Sequence, residues 1–196
     1  SHMEADTTFK TRSGALGSDP QRPIPIGTAV KAVTERGYGI EIAVLEVIRG
    51  QEAEASIQVQ GLAERPPSVG FERILVRIKF GYFRKAKGPP EPGNEYRITA
   101  NNFQSTSADG ATKYELPNLT RQPEPLLVGV PIAPGLNQEG WIVLQVPIGE
   151  KKPLLSFHRE YAQSNYVLIH TWQPIWFKLF AFDPMQMEGT CAECRP

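Results

Sequence analysis

The sequence predicts an all-β protein, an immunoglobulin-like antiparallel β-sandwich of about eight or nine strands. Apolar residues recur with period two in short runs, and helical periodicity is almost absent. Proline is abundant, at 18 residues, and clusters between the runs, where no ladder donor is lost. The runs follow one another at sandwich-like spacing with turn residues between them.

The first core run places Tyr38, Ile40, Ile42 and Val44 on one face and continues through Ile48. In the next, Ile74, Val76, Ile78, Phe80 and Tyr82 alternate with Arg73, Arg77 and Lys79, apolar inward and basic outward. Residues 95–103 offer Tyr96, Ile98 and Ala100 on one side. Ala108-Asp109-Gly110-Ala111 carries the Asp-Gly signal of a tight hairpin turn. Leu126–Ile132 is a short apolar run bounded by Pro131 and Pro134. Strands follow at Trp141–Val146, Leu154–Arg159, Tyr166–Trp172 and Ile175–Phe182. One short helix is expected at Phe157–Gln163. Pro66-Pro67, Pro89-Pro90, Pro117, Pro123 and Pro125 all fall between runs.

A chain of 196 residues suits one domain with tails, and 40% apolar residues can fill its core. Ser1-His2-Met3 reads as the remnant of a cleaved tag. Residues 1–25 are expected to be tag remnant and flexible linker, 26–182 the sandwich, and 183–196 a Cys-containing tail. The linker expectation rests on a polar stretch with Gly14, Gly17, Ser18 and several prolines, of the kind that joins a membrane anchor to a folded domain. Lys plus Arg balance Asp plus Glu at 21 each, so no net field draws in nucleic acid or an anionic membrane. No apolar stretch reaches the length of a membrane-spanning helix.

The segment from Val128 to Phe157, VGVPIAPGLNQEGWIVLQVPIGEKKPLLSF, runs from a short strand through a Pro-Gly turn into a Gly-aromatic strand closing on Val-Pro, then a Leu-rich strand. It resembles the DUF4352 family of bacterial telokin-like, MPT63-like immunoglobulin-fold proteins. Ile26-Gly27-Thr28-Ala29-Val30 looks like the family's opening strand, Ile74–Phe80 its central strand, and Ala108–Tyr114 a tighter version of its Asp-x-x-Gly-x-x-Tyr turn. The resemblance covers residues 26–182. The run GYFRKAKGPPEP (81–92) is longer and more basic than the pattern, and the chain continues past the last strand. Members are typically exported or lipid-anchored and have no established catalytic residues. The resemblance therefore implies an extracytoplasmic protein of the cell envelope, secreted or anchored as a lipoprotein through a segment absent here, and leaves its activity open.

Two features carry candidate chemistry. In the tail, Met185, Met187, Cys191 and Cys194 gather soft sulfur ligands, which select Cu(I) or, for the thiols, zinc. The Cys-x-x-Cys spacing equally allows a disulfide or free thiols; one Cys pair falls short of the four ligands of structural zinc, and His158 and His170 could complete a set, though sequence does not bring them near. Near the last strand, Trp172, Trp176, Phe180 and Phe182 form an aromatic group, with Trp176, Phe180 and Phe182 opposite Ile175, Phe177 and Leu179. Such a two-sided strand is buried on both faces or meets a partner, here an envelope protein or glycan.

The run Arg84-Lys85-Ala86-Lys87, with Arg73, Arg77 and Lys79, reads as a solvated basic face. Ser156, His158 and Glu160 alternate along one run, but a triad requires converging geometry. No nucleophile elbow, zinc-protease motif or phosphate loop appears. The expected function is thus a non-enzymatic extracytoplasmic binding or interaction module, with soft-metal binding through the tail as the alternative. The expected cofactor is none, unless the tail takes copper or zinc. Nucleic acid is not an expected partner, and membrane contact is expected only through an anchor. The oligomer is expected to be a monomer or an arm-exchanged dimer.

Overall fold

The computed structural model describes residues 15–34, 37–89, 91–159 and 173–181. In chain order they form β1 (Ala29–Val33), β2 (Tyr38–Ile48), α1 (Gly50–Val59), β3 (Phe71–Arg84), β4 (Tyr96–Arg97), a 3-10 turn (Ala100–Asn102), β5 (Phe103–Thr106), β6 (Pro131–Ile132), β7 (Asn137–Pro147), β8 (Leu154–Phe157) and β9 (Ile175–Lys178). The larger sheet has the order β1-β2-β3-β7 and the smaller β5-β8-β9, all antiparallel, with β4 and β6 forming a short two-stranded ladder. The all-β sandwich agrees with the sequence, with nine strands among the described residues.

Period-two alternation builds the core. Ile40, Ile42 and Val44 of β2, Ile74, Val76, Ile78, Phe80 and Tyr82 of β3, and Ile142, Leu144 and Val146 of β7 are all buried. They face Phe103, Leu155, Phe157, Ile175 and Phe177 of the smaller sheet. Phe157 is the hinge of this packing, with ring centroids 5.9 Å from Phe80 and 5.3 Å from Phe103. A register shift between Val44 and Glu46 turns Val47 toward the core and leaves Glu46 outside, where it meets Arg77.

The outer face of the larger sheet carries a helix that alternation alone does not show. Ala53 and Ile57, one turn apart on α1, pack with Leu62, Leu75 and Val143 in a second apolar cluster. Gln51–Ser56 is a run of good helix formers, and Glu52 sits in the first turn, where the helix dipole favours it. The expected helix at Phe157–Gln163 does not begin where predicted, because Phe157 is the last residue of β8 and is held in register with Phe103 and Ile175. Residues 160–163 lie outside the described residues, as does the expected strand Tyr166–Trp172. The run Leu126–Ile132 yields only β6 and an isolated pairing of Leu126 with Trp141.

The linker expectation for residues 1–25 fails over 15–25. Ile24 is fully buried and pairs in parallel with Phe177, extending the smaller sheet past β9. Its N–H donates to the Trp176 carbonyl at 2.8 Å, and its carbonyl accepts from Lys178 N at 2.9 Å. Trp176 N donates to the Gly17 carbonyl at 3.0 Å. One buried isoleucine between two prolines carries no periodic signal, so composition makes the segment look like a linker. On the other side of the smaller sheet the Asp-Gly turn forms as expected, with Ser107 N bonded to the Thr112 carbonyl at 2.9 Å and Thr106 pairing with Lys113.

Candidate functional site

The residues singled out by sequence divide sharply. Trp176 is only 9% exposed. It lies on the outer side of β9 against Gly110 of the Asp-Gly turn, and Pro20 of the N-terminal segment reaches the same spot. Phe180 is half-buried with the Lys178 ammonium 5.6 Å from its ring centre. Trp172, Phe182, Met185, Met187, Cys191 and Cys194 lie outside the described residues. Ser156 Oγ and His158 Nε2 are 3.0 Å apart, yet Ser156 is 1% exposed beside the Gln104 carbonyl, and Glu160 is outside the described residues.

The basic face is a set of ion pairs. Arg73 is 4% exposed beneath α1, pairs with Glu54, and donates to the Arg65 carbonyl at 2.9 Å. Arg77 reaches Glu46 at 3.1 Å and Glu139 at 2.6 Å, with its guanidinium 5.9 Å from the Trp141 ring centre. Lys79, Lys85 and Lys87 are exposed. Arg84, grouped with them by sequence, instead continues the inward alternation of β3 after Phe80 and Tyr82.

That turn inward defines one mouth of the sandwich. Three strands end their inward rows there in a polar donor. Ala32 is followed two positions on by Thr34, Tyr82 by Arg84, and Phe157 by Arg159. The mouth is lined with tyrosines: Tyr38 stacks on Tyr82 with centroids 5.4 Å apart, Tyr82 lies 5.6 Å from Tyr96, and Tyr96 lies 4.9 Å from Phe80. The segment after β3 closes over them. Tyr82 donates its hydroxyl hydrogen to Asn94 Oδ1 at 3.1 Å, and the Tyr38 hydroxyl accepts from Glu91 N at 3.3 Å.

Arg159 is 6% exposed and grips two carbonyls, Val33 at 2.8 Å and Gln173 at 2.9 Å. Burial lowers its pKa from the usual arginine value, and the adjacent Tyr96 opposes that. These two bonds occupy one hydrogen on each of its terminal nitrogens. Arg84 and Thr34 have less. The Nη1 of Arg84 and the Oγ1 of Thr34 are buried and have no hydrogen-bond partner. Sequence reasoning missed this group because it read Arg84 as part of a solvated basic run and Arg159 only as the end of a strand. The usable signal was a cation or hydroxyl at the next inward position after an apolar row.

Elsewhere, a cleft of about 30 Å³ lies between β5 and β7, lined mainly by apolar side chains such as Phe103, Leu116, Leu119 and Ile142. It has room for about one water molecule. Among the described residues no three His, Cys, Asp or Glu gather as a metal site, and no helix is long and apolar enough to cross a membrane.

No protein-family model matches the chain, and no curated protein matches it. Among solved structures it is similar to a Bacillus subtilis protein, YcdA, provisionally described as a lipoprotein, at 13% identity and a TM-score of 0.44. The match covers 76% of this chain and spans 38% of that protein's length. The resemblance to the telokin-like family therefore stands on turn chemistry and sandwich pattern, without a family match.

Proposed function

We propose that the chain is a non-enzymatic binding module that works outside the cytoplasm at a bacterial cell envelope, and that it takes its ligand at the tyrosine-lined mouth. One observation carries this reading: hydrogen-bond donors of Thr34 and Arg84 are buried there beside stacked aromatic rings and lack acceptors. Buried donors are nearly always satisfied in folded proteins, so an unsatisfied pair at this end of the sandwich calls for an acceptor from outside the chain, and a ligand would bring one. Aromatic faces add contact area at low entropic cost. The extracytoplasmic setting is supported by the resemblance to exported sandwich proteins.

The test is a nuclear magnetic resonance titration of the full chain with neutral and acidic sugars, inorganic phosphate and Cu(I). Shifts confined to Tyr38, Tyr82, Tyr96 and their neighbours with any of the first three support the reading. A response to Cu(I) alone, confined to Met185, Met187, Cys191 and Cys194, replaces it with soft-metal binding by the tail. A chain exported from its native host with its N-terminal leader removed supports the setting; retention in the cytoplasm overturns it.

A further inference from the structure

Thr34, Tyr38 and Arg84 form one inward row across three strands. Thr34 N donates to the Tyr38 carbonyl at 3.3 Å, and Tyr38 is in register with Arg84. Strand spacing of about 4.8 Å puts the Cα atoms of the outer two roughly 10 Å apart. Between them the Tyr38 ring is stacked on Tyr82. Thr34 is 6% exposed with Oγ1 unpartnered, and Arg84 holds its Nη1 out of water with no acceptor.

None of the ion pairs among the described residues includes Arg84. Glu91 and Glu95, on the segment that crosses this mouth, are exposed, and neither carboxylate bonds to Thr34 or Arg84. A neutral acceptor would satisfy a hydrogen bond at Arg84 and leave its charge. An anionic oxygen would do both, and charge-assisted bonds of guanidinium to carboxylate or phosphate are about twice as strong as neutral ones. The Thr34 hydroxyl rotates freely and can donate to a second oxygen of the same group.

We propose that the mouth binds an oxyanion, a carboxylate or phosphate carried by the ligand, with Arg84 Nη1 and Thr34 Oγ1 as its donors. This rests on the binding-module reading and names the ligand's chemical class.

The experiment compares D-galacturonate, D-galactose and inorganic phosphate on the full chain by calorimetric titration, with the Tyr38 and Tyr82 ring resonances recorded in parallel. Galacturonate is expected to bind and to move those resonances, while galactose binds at least about tenfold more weakly, as one charge-assisted bond predicts. Phosphate binding equal to galacturonate assigns the site to a free oxyanion; galacturonate binding without phosphate assigns it to an acidic sugar. Either supports the proposal. Arg84→Met is expected to lower affinity by about 10- to 100-fold, and Thr34→Val by less than about tenfold. Should Arg84→Met fail to fold, Arg84→Lys and the wild-type resonances still decide.

Equal binding of galactose and galacturonate at the mouth overturns the oxyanion and leaves the binding module standing. Galacturonate and phosphate both leaving the tyrosines unmoved overturns it too, as does unchanged affinity in both variants. In those cases the unpartnered donors are met by water alone.

Discussion

Arg73 and Arg84 sit near opposite ends of β3 and meet different surroundings. Arg73 points outward, yet α1 crosses its end of the sheet and delivers Glu54, while the Arg65 carbonyl takes a further donor. Arg84 points inward toward the mouth, where three strands converge on tyrosines and no carboxylate among the described residues pairs with it. At Arg73's end other polar groups are also matched: Arg49 pairs with Glu72, and the Tyr114 hydroxyl donates to Glu150 at 3.1 Å. The lesson is that direction relative to the pleat does not decide whether a cation is compensated. What the neighbouring element brings does.

The comparison breaks most directly through Arg73→Met. Removing one partner of a largely buried pair should cost about 3 kcal/mol in a urea unfolding experiment. Arg84→Met should cost less than about 1 kcal/mol, since it removes a donor that had no partner. Equal costs would mean the two ends are not different in kind.

The next effect belongs to Gly110, at the matched end. Its φ is +73°, and a Cβ there would lie 2.6 Å from Pro20 Cγ and 3.0 Å from Trp176 Cη2. Gly110→Ala should lower stability by about 1–2 kcal/mol from the left-handed backbone alone, and shift Trp176 fluorescence as Pro20 is displaced. An unmoved emission spectrum would show that Pro20 and Trp176 do not share that contact.

A third prediction sharpens the match at Tyr114. Burial first, then the Glu150 hydrogen bond and charge, push its phenol up to about 12 from an ordinary 10.0. The folded state holds the proton longer than the unfolded one. Its contribution is therefore complete below pH 10 and is lost as pH rises through about 12. Alkaline absorbance titration should show Tyr114 ionising late, assigned by its loss in Tyr114→Phe, and Glu150→Gln should bring it partway back, because burial remains. An ordinary titration for every tyrosine would sink the claim.

Smallest is Arg77→Ala. Its carboxylate partners are nearly half exposed, so stability should change by less than about 1 kcal/mol, and less still in high salt.

Alternation made β2, β3 and β7 legible, because each buries a full face against a second sheet. It could not show α1, whose buried face consists of Ala53 and Ile57 among charged neighbours. Nor could it show the docking of residues 15–25, which is carried largely by backbone hydrogen bonds and one isoleucine. The mouth was half legible. Arg84 and Arg159 stand at inward positions in the sequence, but only the fold reveals that the rows of β1, β3 and β8 end together. Trp176 was visible as an unusual aromatic; its meeting with Pro20 around Gly110 joins segments distant along the chain, which no local pattern encodes.

The parallel pairing of Ile24 with Phe177 has a mechanical consequence. A pull applied to the chain before Gly17 and after Lys178 would drag two parallel segments past each other along their length. Force in that direction loads the bonds Ile24–Trp176, Gly17–Trp176 and Ile24–Lys178 together, in shear, instead of opening them one at a time. The rate of forced unfolding would then be set by the joint failure of that clamp. A sandwich held in this way resists tension between its two ends better than tension across a hairpin such as Thr106–Lys113, whose rungs part singly.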